Sequence, residues 1–190
     1  MVNWTKRYHL AAIALVTSSV LAATDAIGGE VPDTQRLREA LAALVGEWRG
    51  SLTYIDYGNG NEYEIPLATR HVPNADRTAL VSWNAYTDPG HIVHTVDVLA
   101  VDESGEVVTI AGFRDGEATV LAFRVLAFER LADGWRLVLA REGLDDGRQA
   151  AMTRSLELEG DRFVSRKRVR FADEEASFER NRVQLERVEG

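Results

Sequence analysis

The chain has 190 residues, of which 45% are apolar and 27% charged, an ordinary globular composition at a length that favours one domain. Its 22 Lys and Arg against 30 Asp and Glu give a formal charge of −8, and Arg166, Arg168 and Arg170 alternate with other residues near acids, so no nucleic-acid surface is expected. The sequence contains no cysteine, so disulfides, thiolate metal sites and a lipid-bearing cysteine are excluded and the core alone must hold the fold.

Residues 1–26, MVNWTKRYHLAAIALVTSSVLAATDA, have the order of a secretory signal. Lys6 and Arg7 are the basic start, Leu10 to Val16 the apolar run, and small residues around Ala22, Ala23 and Ala26 the cleavage region. The apolar run is too short to cross a bilayer. The expectation is an exported protein, periplasmic or secreted, with no stable membrane insertion of the mature chain. Residues 27–32 read as a linker, and residues 33–190 as one domain. A helix is predicted over 33–45: Asp33 or Thr34 can cap it, Leu37, Leu41 and Leu44 recur at helical spacing, and Gly46 ends it.

After the helix the chain alternates strand and turn. Most of the nine turns, YGNGN, TDPG, RDGE, ADGW and LDDGR among them, carry Gly with Asp or Asn, the residues that accept hairpin backbone angles. They separate ten candidate strands: 47–57, 61–72, 77–87, 91–102, 106–113, 117–131, 134–142, 148–159, 162–172 and 176–188. Successive hairpins make an antiparallel meander, and ten such strands escape open edges by closing into a barrel. The fold class is therefore all-β, an up-and-down barrel of about ten strands with one short N-terminal helix.

Alternation assigns several inward faces. Trp48, Leu52 and Tyr54 share one, with Gly50 between them. Tyr63, Ile65, Leu67 and Thr69 share another. Met152, Arg154, Leu156 and Leu158 share a third, Phe163, Ser165, Lys167, Val169 and Phe171 a fourth, and Val183, Leu185 and Arg187 a fifth. The fourth and sixth strands, HIVHTVDVLAV and ATVLAFRVLAFERL, are apolar on both faces, and their outer faces need a cover. A second subunit, giving a homodimer, is the expected one.

In an antiparallel barrel the first and last strands pair, so the start of the first lies opposite the end of the last. That places Trp48 near 185–188, with the Arg187 guanidinium over the indole. Gly46 turns the chain from helix to strand, and Gly50 is expected to leave room beside the ring for a neighbouring side chain or the helix. These four residues form the predicted closure.

Gly46-Glu47-Trp48 resembles the G-x-W motif of the calycin superfamily, which includes lipocalins, fatty-acid-binding proteins and haem-binding nitrobindins. It stands after a short helix and at the first strand, as it does there. The wider LVGEWRGSLTYIDY and ERNRVQLERV resemble a group of bacterial exported lipocalin-like proteins. The resemblance implies a calycin-like barrel in which the Trp packs across the closed end under a basic residue from the last strand. Nitrobindins hold haem through a histidine in the C-terminal part of the barrel. Here no histidine follows His94, which argues against haem.

The chemistry-bearing residues are few. His91 and His94 point to opposite faces of a regular strand, and no cluster has metal-ligand spacing, so no metal and no cofactor is predicted. The paired acids of LDDG fall in a hairpin turn, where Asp serves the backbone. What remains is polar residues on inward faces: Arg154, Lys167 and Asn181, with Arg124 and Arg141 as weaker candidates. A charge facing a core needs a partner or a wet cavity. A one-residue bulge would instead put each of them outside. Taken as inward, they form a cationic end of a cavity whose apolar wall is Tyr54, Tyr63, Trp83, Phe123 and Phe163. The resulting expectation is a small hydrophobic or amphiphilic, anionic ligand. The alternatives are a structural or partner-binding barrel with a filled interior, and an enzyme working on a lipid-like substrate in the lumen.

Overall fold

The computed structural model describes residues 34–88 and 90–189, with the side chain of residue 88 left aside. The signal segment, the linker and the Asp33 cap lie outside the described residues. One helix, α1 (Thr34–Ala42), precedes ten strands: β1 (Gly46–Ile55), β2 (Glu62–Pro73), β3 (Ala79–Asp88), β4 (His91–Val101), β5 (Val107–Arg114), β6 (Glu117–Leu131), β7 (Gly134–Asp145), β8 (Arg148–Glu159), β9 (Arg162–Phe171) and β10 (Phe178–Arg187). Every consecutive pair is antiparallel, and β10 returns to pair with β1, closing the barrel. The fold class expected from the turns is the one observed.

Local chemistry accounts for the hairpins. Asp115 and Gly116, and again Asp146 and Gly147, have both central residues at positive φ, the two-residue turn whose twist matches that of the flanking strands. Arg114 then pairs with Glu117, and Asp145 with Arg148. β7 runs further than the sequence indicates: Asp145 is its last residue, and only Asp146 and Gly147 make the turn.

α1 seats over one end of the barrel. Leu37, Leu41 and Leu44 are 0%, 4% and 1% exposed, because their spacing puts them on one helical face. The Thr34 hydroxyl does not cap the helix but donates to the Glu103 carbonyl in the β4–β5 turn, at 2.7 Å. Gly46, at φ +132°, turns the chain into β1 as expected.

Two register shifts occur, one in β6 between Val125 and Ala127 and one in β10 between Glu179 and Asn181. β8 and β9 pair without a shift, so Arg154 and Lys167 keep their inward parity. β6 and β7 pair only from Arg124↔Ala140 downward to Leu131↔Gly134. Residues 117–123 of β6 pair with β5 alone, and residues 141–145 of β7 with β8 alone.

Candidate functional site: the barrel lumen

The floor of the lumen is the predicted closure. Trp48 is 1% exposed, and its Nε1 donates to the Leu44 carbonyl at 2.7 Å. It stands opposite Arg187, whose guanidinium carbon lies 4.2 Å from the ring centroid. The same guanidinium donates to the carbonyls of Ala43 and Val45 just past α1 and to Asp161 in the β8–β9 turn. Phe163 and His71 meet the Trp48 ring edge-on at 6.3 and 6.4 Å.

Gly50 has a different role from the one expected. A Cβ there would fall 1.9 Å from the Gln184 carbonyl oxygen of β10. The glycine therefore admits the neighbouring backbone, not a side chain or the helix.

Above this floor lies a cavity of about 360 Å³. Its lower wall is apolar, with Leu44, Leu80, Leu99, Leu156, Phe163 and Leu185. Its upper wall is polar. The Thr69 hydroxyl donates to Asn84 Oδ1, and Asn84 Nδ2 donates to Asp97 Oδ2 at 2.7 Å and to Thr95 Oγ1 at 3.0 Å. Burial pushes the Asp97 carboxyl up, against the Arg154 charge and the Asn84 bond. At a lower level His71 Nδ1 shares a hydrogen bond with Ser82 Oγ at 2.8 Å. Burial, aided by the Arg187 charge, lowers the His71 pKa to about 4, so its ring is neutral at physiological pH.

Arg154 reaches into this cavity from β8. Its burial lowers its own pKa, and the nearby Asp97 carboxyl and Tyr86 hydroxyl offset part of that. Among the described residues its guanidinium makes no hydrogen bond or ion pair, and its Nε is buried without a partner. Its one ring contact is with Phe123, at 5.8 Å from the centroid, a distance that the Arg141 guanidinium shares. Two guanidinium groups thus flank one phenyl ring.

Nearer the open end, Lys167 and Asp145 pair at 2.5 Å with side chains 18% and 14% exposed, and the Tyr57 hydroxyl donates to the other Asp145 oxygen. Burial works to raise the Asp145 carboxyl, but the bonds from Lys167 and Tyr57 outweigh it and hold it below the usual range. The Tyr57 hydroxyl is pushed far up, by burial first and by Asp145 second. Arg180 covers the Tyr57 ring at 3.9 Å. Asp145 is therefore not a solvated turn acid, as its place in LDDG implies, but the counter-ion of the inward lysine.

The sequence-predicted residues divide as follows. Arg154, Asn181 and Phe163 line the cavity. Phe123 is 3% exposed and packs against the two arginines. Tyr54 stands at the mouth, stacked at 5.7 Å on Tyr63, which is 41% exposed. Lys167 points inward but is taken by Asp145. Arg124 is exposed on the outer surface. Trp83 is not part of the lumen wall: it is 57% exposed on the outer face, because Ser82, Asn84 and Tyr86 take the inward parity of β3. Alternation along β3 gives Trp83 the outward parity whatever its residue type. Asn84 and Asp97 were missed. A lone acid in the otherwise apolar HIVHTVDVLAV was their available signal.

No protein-family model matches the chain, and no curated protein matches it either. Among solved structures, the chain is similar to one titled "Crystal Structure of Rv2717c from M. tuberculosis", at 15% identity and a TM-score of 0.58, over 80% of this chain and 96% of that one. At that identity the likeness carries the barrel fold alone.

Proposed function

We propose that this chain is an exported calycin-type barrel that holds one small amphiphilic molecule, its apolar part above the Trp48 floor and its anionic head at Arg154. The observation that carries the reading is the Arg154 guanidinium, buried in a cavity without a hydrogen-bonded partner among the described residues. Burying a charge unpaired is costly, and a ligand carboxylate or comparable anion supplies the missing partner. A volume of about 360 Å³ suits a small ligand, since ligand sites run from about 300 to 1,000 Å³. The open space also favours this reading over a barrel with a filled interior. Export rests on the order of basic, apolar and small residues in 1–26.

Native mass spectrometry of the protein purified from its own host tests both parts. The mature chain should begin between Ala23 and Ile27 and carry a mass that denaturation releases. Folded protein that keeps Met1 and carries nothing would reject the reading. Arg154→Gln should weaken binding of a fluorescent fatty-acid probe by about 10-fold or more, the worth of a charge-assisted hydrogen bond. Arg170→Gln, on the exposed outer face of β9, should leave it unchanged. Arg154→Met should also raise the urea midpoint of the ligand-free barrel, because it removes a buried charge. Equal probe affinity in wild type and Arg154→Gln would move the head elsewhere.

A further inference from the structure

The outer wall of β3–β6 carries a pattern that the lumen does not use. Cross-strand register aligns three consecutive rows there. The first is Trp83, Val96, Phe113 and Ala118, the second Val81, Val98, Ala111 and Val120, and the third Ala79, Ala100, Thr109 and Ala122. None of these residues is charged. Trp83, Phe113 and Val120 are 57%, 47% and 66% exposed. We propose that this face binds a second copy of the chain, sheet against sheet, to form a two-fold symmetric dimer.

The relief of the face is self-complementary. A two-fold axis along the middle row turns the first row of one copy onto the third row of the other. Each Trp83 then lies over the partner's Ala79, and each Phe113 over the partner's Thr109, so the large side chains meet small ones. Strands of the two copies run in line, the ordinary aligned packing of two sheets. The same rotation brings exposed Arg124, just beyond the third row, onto the partner's hairpin tip with Asp115 and Glu117. It also brings Asp102, in the β4–β5 turn, towards the partner's His94. The rim thus sets the Arg124 cation against a tip that carries Asp115 and Glu117 beside Arg114.

The area is compatible. Four strands about 4.8 Å apart and three rows of two residues cover about 400 Å². A stable interface buries about 800 Å² per partner, so the apolar rows form its centre and the polar rim supplies the rest. A contiguous apolar patch of this size is about the largest that an ordinary monomer exposes, and such patches are often functional. The proposal is independent of any lumen ligand.

The test is sedimentation over a concentration series, with variants that circular dichroism shows to be folded. Wild type should form dimers, and Trp83→Glu should weaken them by about 30-fold or more, as expected for a central aromatic anchor. Val120 lies on the axis, and the chain has no cysteine of its own. Val120→Cys should therefore be crosslinked to its partner copy by a short bis-maleimide that spans the roughly 10 Å between packed sheets, while Arg170→Cys, on the opposite wall, should dimerise without being crosslinked. A monomer at every concentration would overturn the proposal. So would a dimer that ignores Trp83→Glu and leaves Val120→Cys uncrosslinked. A monomer that sediments with phosphatidylcholine vesicles would overturn it as well and assign the face to a lipid surface.

Discussion

Arg187 joins four parts of the molecule at one end: the Trp48 ring, the carbonyls after α1, Asp161 in the β8–β9 turn, and the field at His71. Trp48→Ala should cost about 3–5 kcal/mol as a core truncation. Arg187→Ala should cost less, and a double-mutant cycle should show coupling of about 1 kcal/mol from the cation–π contact; additive losses would mean that the contact contributes nothing. His71 sets a pH dependence. Unfolded, it takes its proton near pH 6.5, and folded only near 4. Between those values the unfolded state binds more protons, so stability falls as the pH drops from 6.5 towards 4, by up to about 3 kcal/mol. Asp97 acts in the opposite sense, since its raised folded pKa favours the folded state as the pH falls. The difference between wild type and His71→Gln in urea titrations isolates the histidine. The variant should show a shallower loss below pH 6.5, and identical slopes would show that His71 is not held neutral.

At the scale of elements, the seam between β1 and β10 decides closure. Gly50 sits in it against the Gln184 carbonyl, and a methyl group cannot share that space. Gly50→Ala should therefore cost about 3 kcal/mol or more through forced backbone movement. Gly60, at φ +72° with open space around it, provides the comparison: Gly60→Ala should cost only about 1 kcal/mol of backbone strain. Urea unfolding of the two variants measures the contrast, and equal losses would remove the seam as the cause. The β6 shift at Val125 and Ala127 lies just below the point where β6 and β7 stop pairing. Bulges bend strands in this way, and Arg141 stands where the two part.

The molecule as a whole has two unlike walls. From β7 to β10 the inner side chains include Leu137, Leu139, Met152 and Leu156. The outer ones there include Arg136, Glu157, Arg166 and Glu179, paired in surface ion pairs. From β3 to β6 the upper part is inverted: Asn84, Thr95 and Asp97 face inward, and Trp83, Val96, Phe113 and Val120 face outward. An inverted wall is costly for an empty monomer in water. The polar inner side favours a ligand head at Arg154, and the apolar outer side favours a covering surface, so the inversion is consistent with both proposals. Loss of the probe in Arg154→Gln and loss of the dimer in Trp83→Glu are expected to be separable, because the two residues lie on opposite faces of the barrel shell.

The sequence alone was enough for the ten strands, the helix, the hairpin order and the meeting of Trp48 with Arg187. These follow from local periodicity, from Gly beside Asp or Asn in the turns, and from the chain order that a closed meander imposes. The inward aim of Arg154 and Lys167 was legible too, because β8 and β9 pair without a bulge. Only the tertiary structure decided what those cations meet. Asp145 reaches Lys167 from a neighbouring hairpin, while Arg154 crosses the lumen and stays without a bonded partner. It also decided that Gly50 makes room for a backbone, that Asn84 and Asp97 form a polar inner wall, and that Trp83 lies outside. The physical reason is range. Strand parity and turn chemistry act within a few residues, whereas partners across a barrel depend on register between strands far apart in the chain and on the reach of side chains into a shared cavity.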